Sequence, residues 1–316
     1  MRAIEVTDLR KTYAGGVEAL RGISFTVERG EVFALLGPNG AGKSTTVRIL
    51  TTLSAASGGR ATVAGFDVSR QPREVRRRIG YVAQASGVDL TATGRENLLL
   101  QGRLFRLPAG ELRTRVEELL ELFQLASAAD RTAQTYSGGM KRRLDVAMGL
   151  VHRPEILFLD EPTTGLDPES RAVMWKEVRR LAREGLTLLL TTHYLEEADQ
   201  LAQRLAIIDQ GKVVATGAPA ELKGQLRGDL IAVELKDRGR LGAAEAVLGG
   251  LAGVSGVLVD GARLYAPIAA GASSARALPE VLAALDEAGL EVAQVSLSRP
   301  ALDEVYLTAT GHAYHE

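Results

Sequence analysis

Apolar residues fall along the chain in two kinds of pattern. Val32 to Leu36, Ile156-Leu157-Phe158-Leu159 and Leu188-Leu189-Leu190 are short apolar runs, as expected of buried strands in a parallel sheet. The first stops at Gly37 and gives way to a helix starting near Gly42. Ile4-Glu5-Val6 and Ile23-Ser24-Phe25-Thr26-Val27 read as strands, with turn residues Ala14-Gly15-Gly16 between them. From about Leu90 to His152 the pattern becomes helical, with Leu112, Val116, Leu119, Leu120 and Phe123 recurring on one face. Val173 to Leu181 reads as a crossover helix between the last two buried strands. Strand–helix–strand alternation predicts an α/β fold around a parallel sheet.

After Gly224-Gln225-Leu226 the texture shifts. Leu230 to Leu235 predicts a strand, Leu241 to Leu251 a helix, Val254 to Val259 with Leu264 to Ile268 a hairpin, Leu278 to Ala288 a helix and Val292 to Leu297 a strand. The order β-α-β-β-α-β is that of a ferredoxin-like domain. The expected division is therefore a first domain over 1–224, with a helical subdomain at about 90–153, and a small α+β accessory domain over 225–316. Leu302, Val305, Tyr306 and Leu307 alternate with Asp303 and Glu304 as a short amphipathic helix. It either docks on another chain or packs within its own domain.

Composition narrows the function classes. The 316 residues suffice for two domains, and 46% are apolar, normal for a chain that buries a core. Without cysteine, disulfides, thiol catalysis and cysteine-ligated metal sites are excluded. The N-terminus, Met1-Arg2-Ala3-Ile4-Glu5, lacks a signal-peptide pattern, and no apolar run is long enough to cross a bilayer. The expected location is cytoplasmic, with any membrane role exercised through another chain. Arg70, Arg73, Arg76, Arg77 and Arg78 form a basic cluster, but the net charge is −1 and no aromatic residues interleave. A solvated helix face is the preferred reading, with no nucleic-acid partner.

The chemistry begins at Gly37-Pro38-Asn39-Gly40-Ala41-Gly42-Lys43-Ser44, a complete P-loop pattern followed by Thr45, set between a strand and a helix. Its glycines let successive N–H groups turn inward on phosphate oxygens, and the helix adds its positive N-terminal end. Lys43 is placed for the β- and γ-phosphates, and the Ser44 hydroxyl for magnesium. Asp160 and Glu161 end a buried strand; paired with a P-loop, Asp160 suits the magnesium and Glu161 the polarising of an attacking water. Ser137-Gly138-Gly139 opens another helix and could form a second anion site, although a plain helix cap accounts for it equally.

Over residues 1 to about 222 the sequence resembles an ABC ATPase. The P-loop, Gln84, Tyr136-Ser137-Gly138-Gly139-Met140, Asp160-Glu161-Pro162, Gly165-Leu166-Asp167 and His193 occur in that family's order and spacing. The resemblance implies a P-loop ABC ATPase domain built from a parallel-sheet core, an antiparallel β subdomain and a helical subdomain. It implies ATP and Mg2+ as cofactors and a homodimer paired head to tail, each ATP lying between the P-loop of one copy and Ser137-Gly138-Gly139 of the other. It further implies that Tyr13 stacks on adenine, Gln84 touches metal and water, Asp167 crosses the dimer interface and His193 contacts the γ-phosphate. Tyr136 and Met140 depart from the leucine and glutamine that are commonest in the family.

Within the family, the stretch Thr45 to Leu53, Val63-Ala64-Gly65-Phe66-Asp67-Val68 and the C-terminal Arg299-Pro300-Ala301-Leu302-Asp303-Glu304-Val305-Tyr306-Leu307, ending at Thr310-Gly311-His312, resemble the daunorubicin-resistance branch. That branch implies an ATP-hydrolysing motor peripheral on the inner face of the cell membrane, working with a separate transmembrane permease to export a drug or antibiotic. An importer motor and a non-transport ABC ATPase are the rival readings. The stretch between the P-loop and Ser137 is too short for the long coiled coil of chromosome-structure proteins. Glu161 and His193 together argue against a module that binds nucleotide without turnover.

Overall fold

The computed structural model describes residues 1–225, 229–269, 274–298, 301–310 and 312. Leu226 at the expected boundary, and Arg299, Pro300 and Gly311 of the C-terminal motif, lie outside these residues. Two compact units result, Met1–Val213 and Val214–Glu316.

In the first unit the chain runs β1 (Arg2–Thr12), β2 (Glu18–Glu28), β3 (Val32–Leu36), α1 (Lys43–Leu50), β4 (Gly58–Val63), β5 (Phe66–Asp67), α2 (Pro72–Arg78) and β6 (Ile79–Val82). It continues through α3 (Gly94–Leu104), α4 (Ala109–Leu122), α5 (Gly138–Leu150), β7 (Ile156–Asp160), α6 (Pro168–Arg183), β8 (Thr187–Thr192), α7 (Leu195–Leu201), β9 (Arg204–Asp209) and the start of β10 (Lys212–Gly217), a strand that runs past the division at Val213. The three apolar runs become β3, β7 and β8, in which every residue is buried. They lie in a six-stranded sheet of order β10-β9-β3-β8-β7-β6, with the pairs from β9 to β6 parallel. Strands covered on both faces have no place for polar side chains, which is why these runs are unbroken.

The N-terminal strands form a separate antiparallel sheet of order β2-β1-β4-β5. Both β1 and β2 extend well beyond the apolar stretches that announce them. Register shifts, one of them between Val6 and Leu9 where Asp8 takes φ 47, break the alternation that would have shown their full length. Ile4, Val6, Phe25 and Val63 of this sheet share one core with Phe33, Phe158 and Leu189 of the parallel sheet. Each such side chain contributes roughly 1.5–3 kcal/mol by leaving water. On α2, Arg77 and Arg78 pair with Glu74, and Arg78 also with Glu155, while Arg76 donates to Thr52.

The second unit contains α8 (Pro219–Gln225), β11 (Leu230–Leu235), α9 (Leu241–Gly249), β12 (Leu258–Asp260), β13 (Arg263–Pro267), α10 (Ser274–Glu287), β14 (Val292–Ser298) and α11 (Leu302–Thr310). Its sheet has the order β12-β13-β11-β14 with every neighbouring pair antiparallel. A core of its own is built from residues such as Ile231, Val233, Leu248, Leu264, Val281 and Leu285. The first hairpin strand is shorter than expected: Gly256, at φ 153, separates an isolated bridge at Val254 from β12.

The division after Val213 falls ahead of the expected one after 224. The reason is a long-range contact, α11 against α8, which draws the segment before residue 225 into the second unit. Leu302, Val305, Tyr306 and Leu307 of α11 are all buried, so its apolar face is covered within the chain. Among the described residues no helix is long and apolar enough to cross a membrane.

Candidate functional site

The P-loop leaves β3 at Leu36 and ends where α1 begins. Gly40 and Gly42 take φ 83 and φ 111, in the left-handed region that other residues avoid. At Gly42, the α1 cap, an added Cβ would also lie 2.7 Å from the Ala19 carbonyl, so both conformation and space demand glycine. Lys43 is buried, and its Nζ donates to the Gly37 carbonyl at 2.7 Å and the Pro38 carbonyl at 3.1 Å. Burial pushes this ammonium below the ordinary lysine range, and the nearby Glu161 charge opposes that shift.

The next residue turns the other way. Ser44 Oγ donates to Asp160 Oδ1 at 3.0 Å, and Thr191 Oγ1 donates to the same oxygen at 2.6 Å. A hydroxyl and a carboxylate thus converge at the head of the loop. This donor set fits Mg2+, which takes one or two protein oxygens and completes its shell with phosphate and water. No group of three or more His, Cys, Asp or Glu able to hold a metal occurs among the described residues.

Glu161 is the centre of the cluster. Its backbone stands at φ 48, a left-handed conformation that costs a non-glycine residue about 1–2 kcal/mol. Its N–H is held by Thr191, whose carbonyl oxygen accepts at 3.1 Å and whose Oγ1 accepts at 3.0 Å. On the side chain, Oε1 lies 3.5 Å from Lys43 Nζ and 3.4 Å from His193 Nδ1. Oε2 accepts from Gln84 Nε2 at 3.0 Å and from Thr164 Oγ1 at 3.2 Å. Lys43, Gln84 and His193, from three separate stretches of sequence, therefore meet on the Glu161 carboxylate beside the Ser44–Asp160 pair.

Tyr13 follows β1 directly. It is 37% exposed, its hydroxyl is 3.3 Å from Thr45 Oγ1 on the first turn of α1, and Lys11 Nζ lies 4.9 Å over its ring. The ring thus stands beside the P-loop helix with much of its surface open.

Ser137, Gly138, Gly139 and Asp167 are arranged differently. Ser137 caps α5, its Oγ accepting from the Met140 N–H at 3.2 Å, as a plain helix cap would. Asp167 caps α6: Ser170 N–H donates to Oδ1 and Ser170 Oγ to Oδ2, each at 2.8 Å, which holds the carboxyl below its ordinary range. These hydrogen bonds are local and do not reach Asp160 or Glu161. The two caps neighbour one another, since a Cβ on Gly139 would lie 2.6 Å from Ser170 Oγ. Space above Gly138 is open, with nothing within 4 Å of an added Cβ.

Two residues around the site have structural roles that their sequence does not announce. Tyr136, standing where leucine is commonest, is buried and donates its hydroxyl to the Ala128 carbonyl at 2.7 Å. Arg142, between Lys141 and Arg143, looks like one more surface cation, yet it is 7% exposed and donates to main-chain carbonyls beside Gln84 and Glu161. Its only signal is position: it lies two residues before Leu144, at the edge of the apolar stripe.

Comparison with known proteins places this geometry among relatives. Residues 20–164 match the family model described as ABC transporter. The chain is 50% identical over 311 residues to daunorubicin resistance ATP-binding protein DrrA3 of Streptomyces coeruleorubidus, covering 98% of this chain and 96% of that protein. It is 47% identical over 312 residues to daunorubicin/doxorubicin resistance ATP-binding protein DrrA of Streptomyces peucetius, covering 98% of this chain and 93% of the other. A solved ATP-binding cassette, a dimer in a post-hydrolysis state bound to ADP and Pi, matches with a TM-score of 0.62 at 25% identity, covering 68% of this chain and 98% of that one.

Proposed function

Since the chain belongs to the family of ABC transporter ATP-binding subunits, beside drug-resistance relatives aligned over 98% of its length, we propose that it is the motor of an exporter that expels a drug or antibiotic. It is an ATPase, as the family's ATP-binding proteins are. The observation that carries the chemistry is the Glu161 carboxylate, held by Gln84 and lying against Lys43 and His193, beside the Ser44–Asp160 pair.

The residues divide the work as follows. The N–H groups of the loop from Gly37 to Thr45, with Pro38, Asn39 and Ala41 shaping it, cradle the phosphates, and Lys43 neutralises the β- and γ-oxygens. Ser44 and Asp160 would hold Mg2+, which would supply positive charge for the terminal phosphoryl. Glu161 orients the attacking water and accepts its proton. Gln84 fixes the carboxylate from one side and would also reach the metal and water, while His193, on the other side, would contact the γ-phosphate. Tyr13 stacks on adenine.

Ser137, Gly138, Gly139 and Asp167 serve a second copy. Their local hydrogen bonds leave the space above Gly138 open, as suits helix N-terminal groups that close on the γ-phosphate of ATP held by another P-loop. The similarity to a dimeric cassette supports that pairing. A separate transmembrane permease completes the transporter, with this chain on the inner face of the membrane. The second unit is read as a ferredoxin-like accessory domain that serves assembly.

The test is Glu161→Gln. The variant keeps ATP binding, releases phosphate more slowly by about two orders of magnitude or more, and forms an ATP-dependent dimer on size exclusion. Wild-type phosphate release removes Glu161 from its role; a monomer under saturating ATP defeats the head-to-tail pairing.

A further inference from the structure

The guanidinium of Arg142 joins three parts of the site that are far apart in sequence. Arg142 lies on α5 in the second turn after the Ser137 cap, and it is 7% exposed. Its Nε donates to the Pro162 carbonyl at 2.8 Å and Nη1 to the Ala83 carbonyl at 2.6 Å. Nη2 donates to the carbonyls of Asp160 at 3.1 Å and Glu161 at 3.2 Å. Ala83 immediately precedes Gln84, and residues 160–162 bracket Glu161. The two backbones so held are those whose side chains meet, Gln84 Nε2 on Glu161 Oε2 at 3.0 Å.

Three features set this apart from incidental packing. A buried guanidinium is expensive to desolvate, and burial does push its affinity for the proton below the arginine norm. All four of these hydrogen bonds go to main-chain carbonyls, so Arg142 fixes backbone and not a partner side chain. Three of those carbonyls belong to the turn where Glu161 stands at φ 48, a conformation that persists only where its surroundings enforce it. The planar fork of arginine spans the turn and the Gln84 strand together; a lysine ammonium is a point donor on a flexible stem and does not.

We infer that Arg142 is a positioning residue for ATP hydrolysis: from the helix that presents Ser137, Gly138 and Gly139, it sets the backbone on both sides of the Gln84–Glu161 pair. The inference rests on the reading of Glu161 as the water-activating group. It gives the start of α5 two tasks: an N-terminus open towards a phosphate and, one turn on, a guanidinium that fixes the backbone around the hydrolytic Glu161 of its own chain.

A double-mutant cycle tests it. Arg142→Gln and Arg142→Lys are made in the full chain, alone and with Glu161→Gln. Single-turnover cleavage of labelled MgATP is measured beside equilibrium binding of a fluorescent ATP analogue. Alone, Arg142→Gln is expected to slow cleavage by about tenfold or more while ATP affinity stays within about threefold. Arg142→Lys recovers only part of the rate. In the Glu161→Gln background neither substitution slows cleavage by more than about twofold further, because Arg142 acts through Glu161.

Equal losses in both backgrounds, or affinity falling in step with rate, overturn the inference and leave Arg142 a structural residue. Should Arg142→Gln fail to fold, the Arg142→Lys pair runs the same cycle. Near-normal cleavage by Glu161→Gln alone defeats the reading of Glu161 and the inference with it. A strongly impaired Glu161→Gln beside normal Arg142 variants defeats only the inference.

Discussion

Replacing Lys43 by methionine separates what its ammonium does for turnover from what it does for folding. Methionine keeps most of the stem's volume, so the packing change is below about 1.5 kcal/mol. What disappears is a buried cation that donates to the Gly37 and Pro38 carbonyls and lies 3.5 Å from Glu161. On the phosphoryl in flight, one such preorganised charge is worth about 3 kcal/mol, or roughly a hundredfold to a thousandfold in kcat.

On folding, the sign is opposite. Burial is the largest influence on Lys43 and depresses its pKa, so between the folded and unfolded values the unfolded chain binds more protons. Stability therefore rises with pH through that window, the signature of a desolvated ammonium. Lys43→Met removes it. Phosphate release gives the first quantity, and thermal denaturation without nucleotide at pH 7 and pH 9 the second. The expected result is turnover lost with a melting temperature at pH 7 equal to or above wild type, and a smaller rise between the two pH values. Turnover within threefold of wild type would falsify the placement of Lys43 on the phosphoryl. A melting temperature lowered by several degrees refutes the electrostatic argument, whatever happens to activity.

Three further outcomes follow from the same geometry. Ser137→Arg fills the open space at the α5 N-terminus; ATP binding by the isolated chain should persist while hydrolysis stops, and loss of binding in the monomer means that Ser137 acts on nucleotide within its own chain. Asp145 is buried and its carboxyl is held above the ordinary range, while its Oδ1 accepts from the Gly87 N–H at 2.9 Å. Asn retains that acceptor, so Asp145→Asn should raise the denaturation midpoint at pH 7 and reduce the fall in stability as pH climbs from the unfolded carboxyl value through the folded one; an unchanged pH profile counts against it. Truncation after Gly217 preserves β10 and every proposed nucleotide contact, so ATP binding should survive while assembly with the permease fails; unimpaired transport by the truncated chain removes the assembly role.

The parts of the fold legible in sequence are those where local pattern and tertiary demand coincide. β3, β7 and β8 announce themselves because burial on both faces forbids polar interruptions. The P-loop is legible because its glycines answer a backbone requirement, seen at Gly40 and Gly42. Where tertiary structure overrides local pattern, legibility fails. The extent of β1 is hidden by its bulges, and α6 begins at Pro168, ahead of the expected Val173, because Asp167 caps a polar first turn that carries no apolar signal. The α8–α11 contact that shifts the division between units joins segments with no local trace of one another. Arg142 is the clearest case: its hydrogen bonds all go to backbone carbonyls, which leave no trace in the identity of the residues that supply them.

The left-handed turn at position 161 has a consequence for how the chain drifts. Asparagine and glycine adopt φ 48 more readily than glutamate, so folding alone rewards their arrival there. Neither can supply a carboxylate to Lys43, Gln84 and His193. A gene copy released from selection for turnover is thus expected to exchange Glu161, the relaxed backbone offsetting part of what is lost with the contacts to Lys43 and Gln84. Its product would keep the nucleotide cradle without the group read as activating water.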